Sequence, residues 1–248
     1  MIKILFQWFL FLASPLVATP TSLFWTLCTT DVVPTSTATV SLTDYFKIES
    51  RARPLSFSPL DIGLQFGVFS WKDIQAEAGV DYIIGRGTND LFFNAKIRLQ
   101  EKALFANAPS MSIGIFNVGT RTHGANRTNQ NIVNIVLGKS LPDWIGGRIF
   151  IGAFSGSRAM GKNRQGFMVG FTRSVCTAKD EEGNEYTKWA FGADYASGKN
   201  TIGGGGCAVT YYFTPNVNLQ TGPVWFNSKK INGSWNWSIQ LNVNTSIF

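Results

Sequence analysis

Along most of this chain apolar and polar residues alternate one by one, a repeat of two that an extended strand sorts onto opposite faces. Segment 59–69 sets Leu60, Ile62, Leu64, Phe66 and Val68 against Asp61, Gly63, Gln65 and Gly67. Segment 74–84 sets Ile74, Ala76, Ala78, Val80 and Tyr82 against Gln75, Glu77, Gly79 and Asp81. The same design recurs in 37–47, 91–99, 166–175, 186–195, 207–213, 217–226 and 235–244. Three middle segments, 109–118, 130–139 and 146–155, instead carry apolar residues on both faces, as in the run Ile149, Phe150, Ile151. Together these predict twelve strands, most about nine to eleven residues long, the length a tilted strand needs to cross a bilayer.

Composition bears on what covers the apolar faces. Only 15% of the residues are charged while 14% are aromatic, with 25 Gly and 8 Trp. An ordinary soluble surface is about one-quarter charged, and the outer face of a soluble sandwich is seldom this rich in glycine. A chain that meets lipid with strands must close them, because open edges leave backbone groups unpaired in hydrocarbon. The expected fold is therefore all-β, a single closed antiparallel transmembrane barrel of about 12 strands over residues 37–248, with both barrel ends on one side. The last strand, with Trp235, Trp237, Ile239, Leu241 and Val243 alternating before a terminal Phe248, resembles that of bacterial outer-membrane β-barrels, although Phe248 is out of phase with the apolar set. The resemblance implies a porin-like protein of the bacterial outer membrane, with outer-membrane lipid and the barrel-insertion machinery as partners, the latter through the C-terminal strand.

The other end reads as an export signal. Lys3 precedes an apolar run over 4–12 broken only by Gln7, and Ala18 follows Leu16 and Val17 at a plausible cleavage point. Residues 1–18 are expected to be a signal peptide and 19–36 an N-terminal periplasmic or lumen segment; the sequence leaves open whether that segment plugs the barrel. Three cysteines form no disulfide scaffold.

The connections alternate between two classes. The mostly longer ones, 48–58, 85–90, 119–129, 156–165, 196–206 and 227–234, are expected to face outward. They carry Arg51, Arg53, Arg86, Arg121, Arg127, Arg158, Lys162, Arg164, Lys199, Lys229 and Lys230 against only Glu49 and Asp90. Such a basic mouth concentrates small anionic solutes; the alternative is that these loops contact lipid phosphate or a partner in a non-conducting structural or adhesive barrel. The polar faces place Asp61, Glu77, Asp81 and Asp194 with Lys96, Arg98, Arg148 and Lys188 toward the lumen. Nucleic acid is not an expected partner of an exported barrel, despite the net charge of +7.

Catalysis is not expected. Twelve strands and a single histidine, His123, invite comparison with outer-membrane phospholipase A, whose motif places a nucleophilic Ser two residues after the His, followed by Asn. Asn126 matches, but Ala125 stands at the nucleophile position, so no acyl intermediate can form. No metal-ligand cluster and no cofactor motif is present. The glycines of 203–206 read as flexible entry into a strand, and Trp25, Trp71, Trp144, Trp189, Trp225, Trp235 and Trp237 as mostly interfacial anchors near strand ends. The functional expectation is an outer-membrane diffusion channel for small, anionic solutes.

Overall fold

A computed structural model describes residues 22–47, 59–85, 90–124, 127–233 and 235–247. The proposed signal peptide lies outside the described residues, as do Arg51, Arg53, Arg86, Ala125, Asn126 and Phe248. Twelve strands follow one another: β1 Thr37–Phe46, β2 Leu60–Trp71, β3 Ile74–Ile84, β4 Asp90–Leu99, β5 Ser110–Gly119, β6 Ile132–Ser140, β7 Arg148–Ser155, β8 Gln165–Lys179, β9 Glu185–Ala196, β10 Gly204–Thr214, β11 Val217–Phe226 and β12 Asn236–Ser246. Each pairs antiparallel with its sequence neighbours, and β1 pairs with β12 to close the barrel. The closing register runs from Thr37↔Ser246 to Phe46↔Trp237, so the seam leaves no open edge along β1.

The period of two becomes an outside and an inside. Val40, Leu42, Ile62, Phe93, Ile97, Ile113, Ile151, Val169, Phe191, Val209 and Ile239 are all exposed on the outer surface, a continuous apolar belt. Two corrections fall on the connections. Gly204, Gly205 and Gly206 form the start of β10 and not a flexible approach to it, and Asp90 is the first residue of β4, not part of a loop. The β8–β9 hairpin also extends further than its alternation suggested, with register shifts around Cys176.

The barrel's two rims differ. Thr37 and Ser246 share one rim with the short connections between β2 and β3 and between β10 and β11, called here the turn rim; the opposite end is the loop rim. Ahead of β1, residues 22–34 run through the lumen from the loop rim, where Phe24 and Trp25 meet Asp194, toward the turn rim, where Val33 meets Glu77. Thr35 bridges Gly67 of β2.

This strap explains the middle strands. The inward Phe116, Ile132, Val136, Phe150, Phe154 and Met168 gather with Leu23 and Cys28 of the strap in one buried cluster. An inner wall that faced only water would gain nothing from these side chains; covering each one contributes roughly 1.5–3 kcal/mol. Two glycines let the strap lie against the wall. A Cβ at Gly67 would stand 2.0 Å from the Pro34 carbonyl oxygen, and one at Gly206 would stand 2.6 Å from the Phe24 ring.

Candidate functional site

Most of the inward charges hold the strap. Glu77 on β3 and Lys96 on β4 are directly paired in register and form an ion pair at 3.3 Å with both side chains buried. The Val33 N–H donates to Glu77 Oε2 at 2.7 Å, so the pair also fixes the strap's lower end. Arg98 and Arg148 both reach Asp31 of the strap, at 3.4 Å and 2.5 Å. Arg148 Nη2 further donates to Thr30 Oγ1 at 3.1 Å, and Thr30 shares a 2.8 Å hydroxyl contact with Ser110. At the upper end the Asp194 carboxylate accepts from three successive backbone N–H groups, those of Phe24, Trp25 and Thr26. It also accepts from the Thr26 hydroxyl at 3.1 Å. Three acids and three bases thus balance among Asp31, Glu77, Asp194, Lys96, Arg98 and Arg148, and the backbone dipoles serve Asp194 where no base stands.

Sequence reasoning found these side chains on the walls and missed their partner, Asp31, which lies in a stretch without alternation. An indirect signal was available: Arg98 and Arg148 on inward positions require an acid opposite them. The facing of Glu77 and Lys96 also follows from aligning the two flanking strands as a hairpin.

Asp61 and Asp81 do something different. They line a cavity of about 380 Å³ left beside the strap, and among the described residues lining it they are the only charged ones. Its wall is made by β12, β1, β2 and β3, through Asn236, Gln240, Asn242, Thr39, Ser41, Thr43, Asp61, Gln65 and Asp81, with Asn94 from β4. Asn94 Nδ2 donates to Asp81 Oδ2 at 2.5 Å and Gln65 Nε2 to Asp81 Oδ1 at 3.3 Å. The strap contributes Trp25 to the same cavity. That overturns its expected place at the membrane interface: its indole Nε1 donates to the Ile202 carbonyl at 2.9 Å, and its ring meets Tyr45 and Phe226 edge to face at 5.6 Å and 5.0 Å. A strap residue has no strand end to sit at, so the interfacial argument never applied to it. Trp71, Trp144, Trp189, Trp225 and Trp235 are exposed on the outside.

Lys188 stands apart from the lumen network. It falls where the β8–β9 register shifts, and its ammonium lies over the Tyr186 and Tyr211 rings, at 5.6 Å and 4.6 Å. Tyr211 is paired with Trp189, and both are on outward positions.

On the loop rim Arg127, Arg158, Lys162, Arg164, Lys199, Lys229 and Lys230 are exposed. Arg121 is ion-paired with Asp90, so its charge is locally neutralised. His123 is exposed with Nδ1 2.7 Å from the Thr122 hydroxyl. Among the described residues no group of three or more His, Cys, Asp or Glu side chains could hold a metal ion.

No family model and no curated protein matches the sequence. Solved structures are similar at TM-scores below 0.5. The NanC porin in a rhombohedral crystal form is 8% identical at a TM-score of 0.48, covering 82% of this chain and 98% of that one. An outer membrane channel from Pseudomonas putida F1 is 12% identical at a TM-score of 0.47, over 87% of this chain and 98% of that one. A triple mutant of Rh. blastica porin is 7% identical at a TM-score of 0.39, over 84% and 98%. The structural neighbours of this closed twelve-stranded barrel are thus porins and outer membrane channels.

Proposed function

We propose that the chain is a porin-like diffusion channel of the bacterial outer membrane, its lumen narrowed by its own residues 22–34. The observation that carries this reading is the combination of an apolar outer belt with a polar cavity inside the closed barrel. A soluble barrel has no use for the former, and a purely structural barrel has none for the latter. The outer-membrane setting draws further support from the alternation of the last strand, which forms the closing seam with β1.

Two fields act on a solute in series. The exposed basic side chains of the loop rim enrich small anions at the mouth. Inside, Asp61 and Asp81 oppose that preference at shorter range. Reversal potentials of the purified protein in planar bilayers test both parts. Discrete conductance with a chloride preference at low salt is expected, and replacing Asp61 and Asp81 by Asn should enlarge that preference. Absence of conductance from a heat-modifiable, membrane-inserted barrel would overturn the channel reading in favour of a non-conducting barrel whose loops contact lipid phosphate or a partner.

A further inference from the structure

The cavity beside the strap has spare hydrogen-bond acceptors. Asp61 Oδ1, Gln65 Oε1 and Asn236 Oδ1 find no partner within the protein, and Gln65 and Asn236 are more than nine-tenths buried, at 6% and 8% exposure. Buried acceptors of this kind cost free energy until something donates to them. Several amides of the lining already donate within the protein. Asn94 and Gln65 donate to Asp81, Gln240 donates to Asn242 and Asn242 to Asn218. A sugar hydroxyl brings one donor and no charge. An ammonium group brings three donors and no acceptor.

Charge and shape point the same way. Asp61 and Asp81 face the cavity without a basic residue among its described lining. Register pairs Thr43 with Asp61, which sets Tyr45, two residues along on the same face, diagonal to that carboxylate, within the reach of a long side chain. Tyr45 touches Trp25, whose indole is fixed by its bond to Ile202. Carboxylates beside aromatic rings attract an organic cation twice, through charge and through the ring quadrupole.

We propose that this cavity binds small organic ammonium compounds, with the ammonium at Asp61 and Asp81 and an aliphatic stem against Trp25. The proposal deepens the channel reading and rests on it only in taking the cavity to be reachable from the loop rim. A volume of about 380 Å³ lies within the range of small-molecule sites, about 300–1,000 Å³.

The test is isothermal titration of the purified full-length protein in detergent at low ionic strength, with putrescine as the probe and D-glucose and gluconate as controls. Saturable putrescine binding is expected, weakened at least tenfold by Asp61→Asn and by Asp81→Asn in protein that keeps its heat-modifiable fold. Trp25→Leu should weaken it severalfold, and Arg158→Gln should not weaken it. No saturable putrescine binding, binding of glucose or gluconate in its place, or full affinity in the folded Asp61→Asn, Asp81→Asn double variant would each overturn the proposal. Conductance is read separately: binding without conductance leaves this site standing and removes the channel, and conductance without binding does the reverse.

Discussion

Along β5–β8 the inward positions carry Phe116, Ile132, Val136, Phe150, Phe154 and Met168; along β12, β1 and β2 they carry Asn236, Gln240, Asn242, Thr39, Ser41, Thr43, Asp61 and Gln65. Both walls turn apolar residues outward to one medium, so their outer faces look alike. Their inner faces differ because one is covered by residues 22–34 and the other borders a cavity. The inner face of a barrel therefore reports what stands against it, and a wall that breaks the alternation marks a wall with a protein neighbour.

The largest effects are expected where the strap's lower end meets the buried ion pair between β3 and β4. Glu77→Leu leaves the Lys96 ammonium buried without its carboxylate, a loss of about 3–5 kcal/mol, while adding Lys96→Met should recover most of it. Urea unfolding of the three variants in detergent measures this. If the single and double variants lose equally, the pair is not what stabilises β3 against β4.

Next come the apolar contacts themselves. Met168→Ala or Phe150→Ala should cost about 2–5 kcal/mol, whereas Ser41→Ala on the cavity wall should stay within about 0.5 kcal/mol. Equal losses on both walls in the same unfolding assay would erase the distinction drawn between them.

Asp194 sharpens the comparison at the loop rim. Asp194→Ala removes one acceptor from three strap N–H groups and should cost about 1–3 kcal/mol. It should also raise protease cleavage within residues 22–34 without unfolding the barrel. Unchanged cleavage there would mean that the strap is held by its apolar contacts and its lower ion pairs without help from Asp194.

The smallest effect belongs to the rim. Replacing Arg158, Lys162 and Arg164 by Gln should reduce chloride preference by less than about twofold at 0.1 M salt, where the screening length is about 10 Å, and more at 0.01 M. A loss that does not change with salt would move these residues from the mouth into the permeation path.

Much of this architecture is legible in the alternation. The segments 74–84 and 217–226 coincide with β3 and β11, because a strand between oil and water must sort its side chains by parity. The strap is not legible in that way: Leu23, Phe24, Cys28, Thr30, Val32 and Val33 are all buried, and a segment surrounded by wall has no face to keep polar. What the sequence does contain is its imprint, in the apolar inward residues of β5–β8 and in glycines such as Gly67 and Gly206 where the strap touches the wall.

The seating of the strap against the β5–β8 wall is the central claim, and a cross-link tests it most directly. The Thr30 and Ser110 hydroxyls stand 2.8 Å apart, so cysteines at both positions are within reach of a disulfide. In a chain whose Cys28, Cys176 and Cys207 are replaced by Ala, Thr30→Cys with Ser110→Cys should oxidise to a linked pair detected by mass spectrometry of its peptides. Thr30→Cys with Thr43→Cys, on the cavity wall, should not. A 30–43 link in place of the 30–110 link, or no link in a properly inserted barrel, would contradict the account.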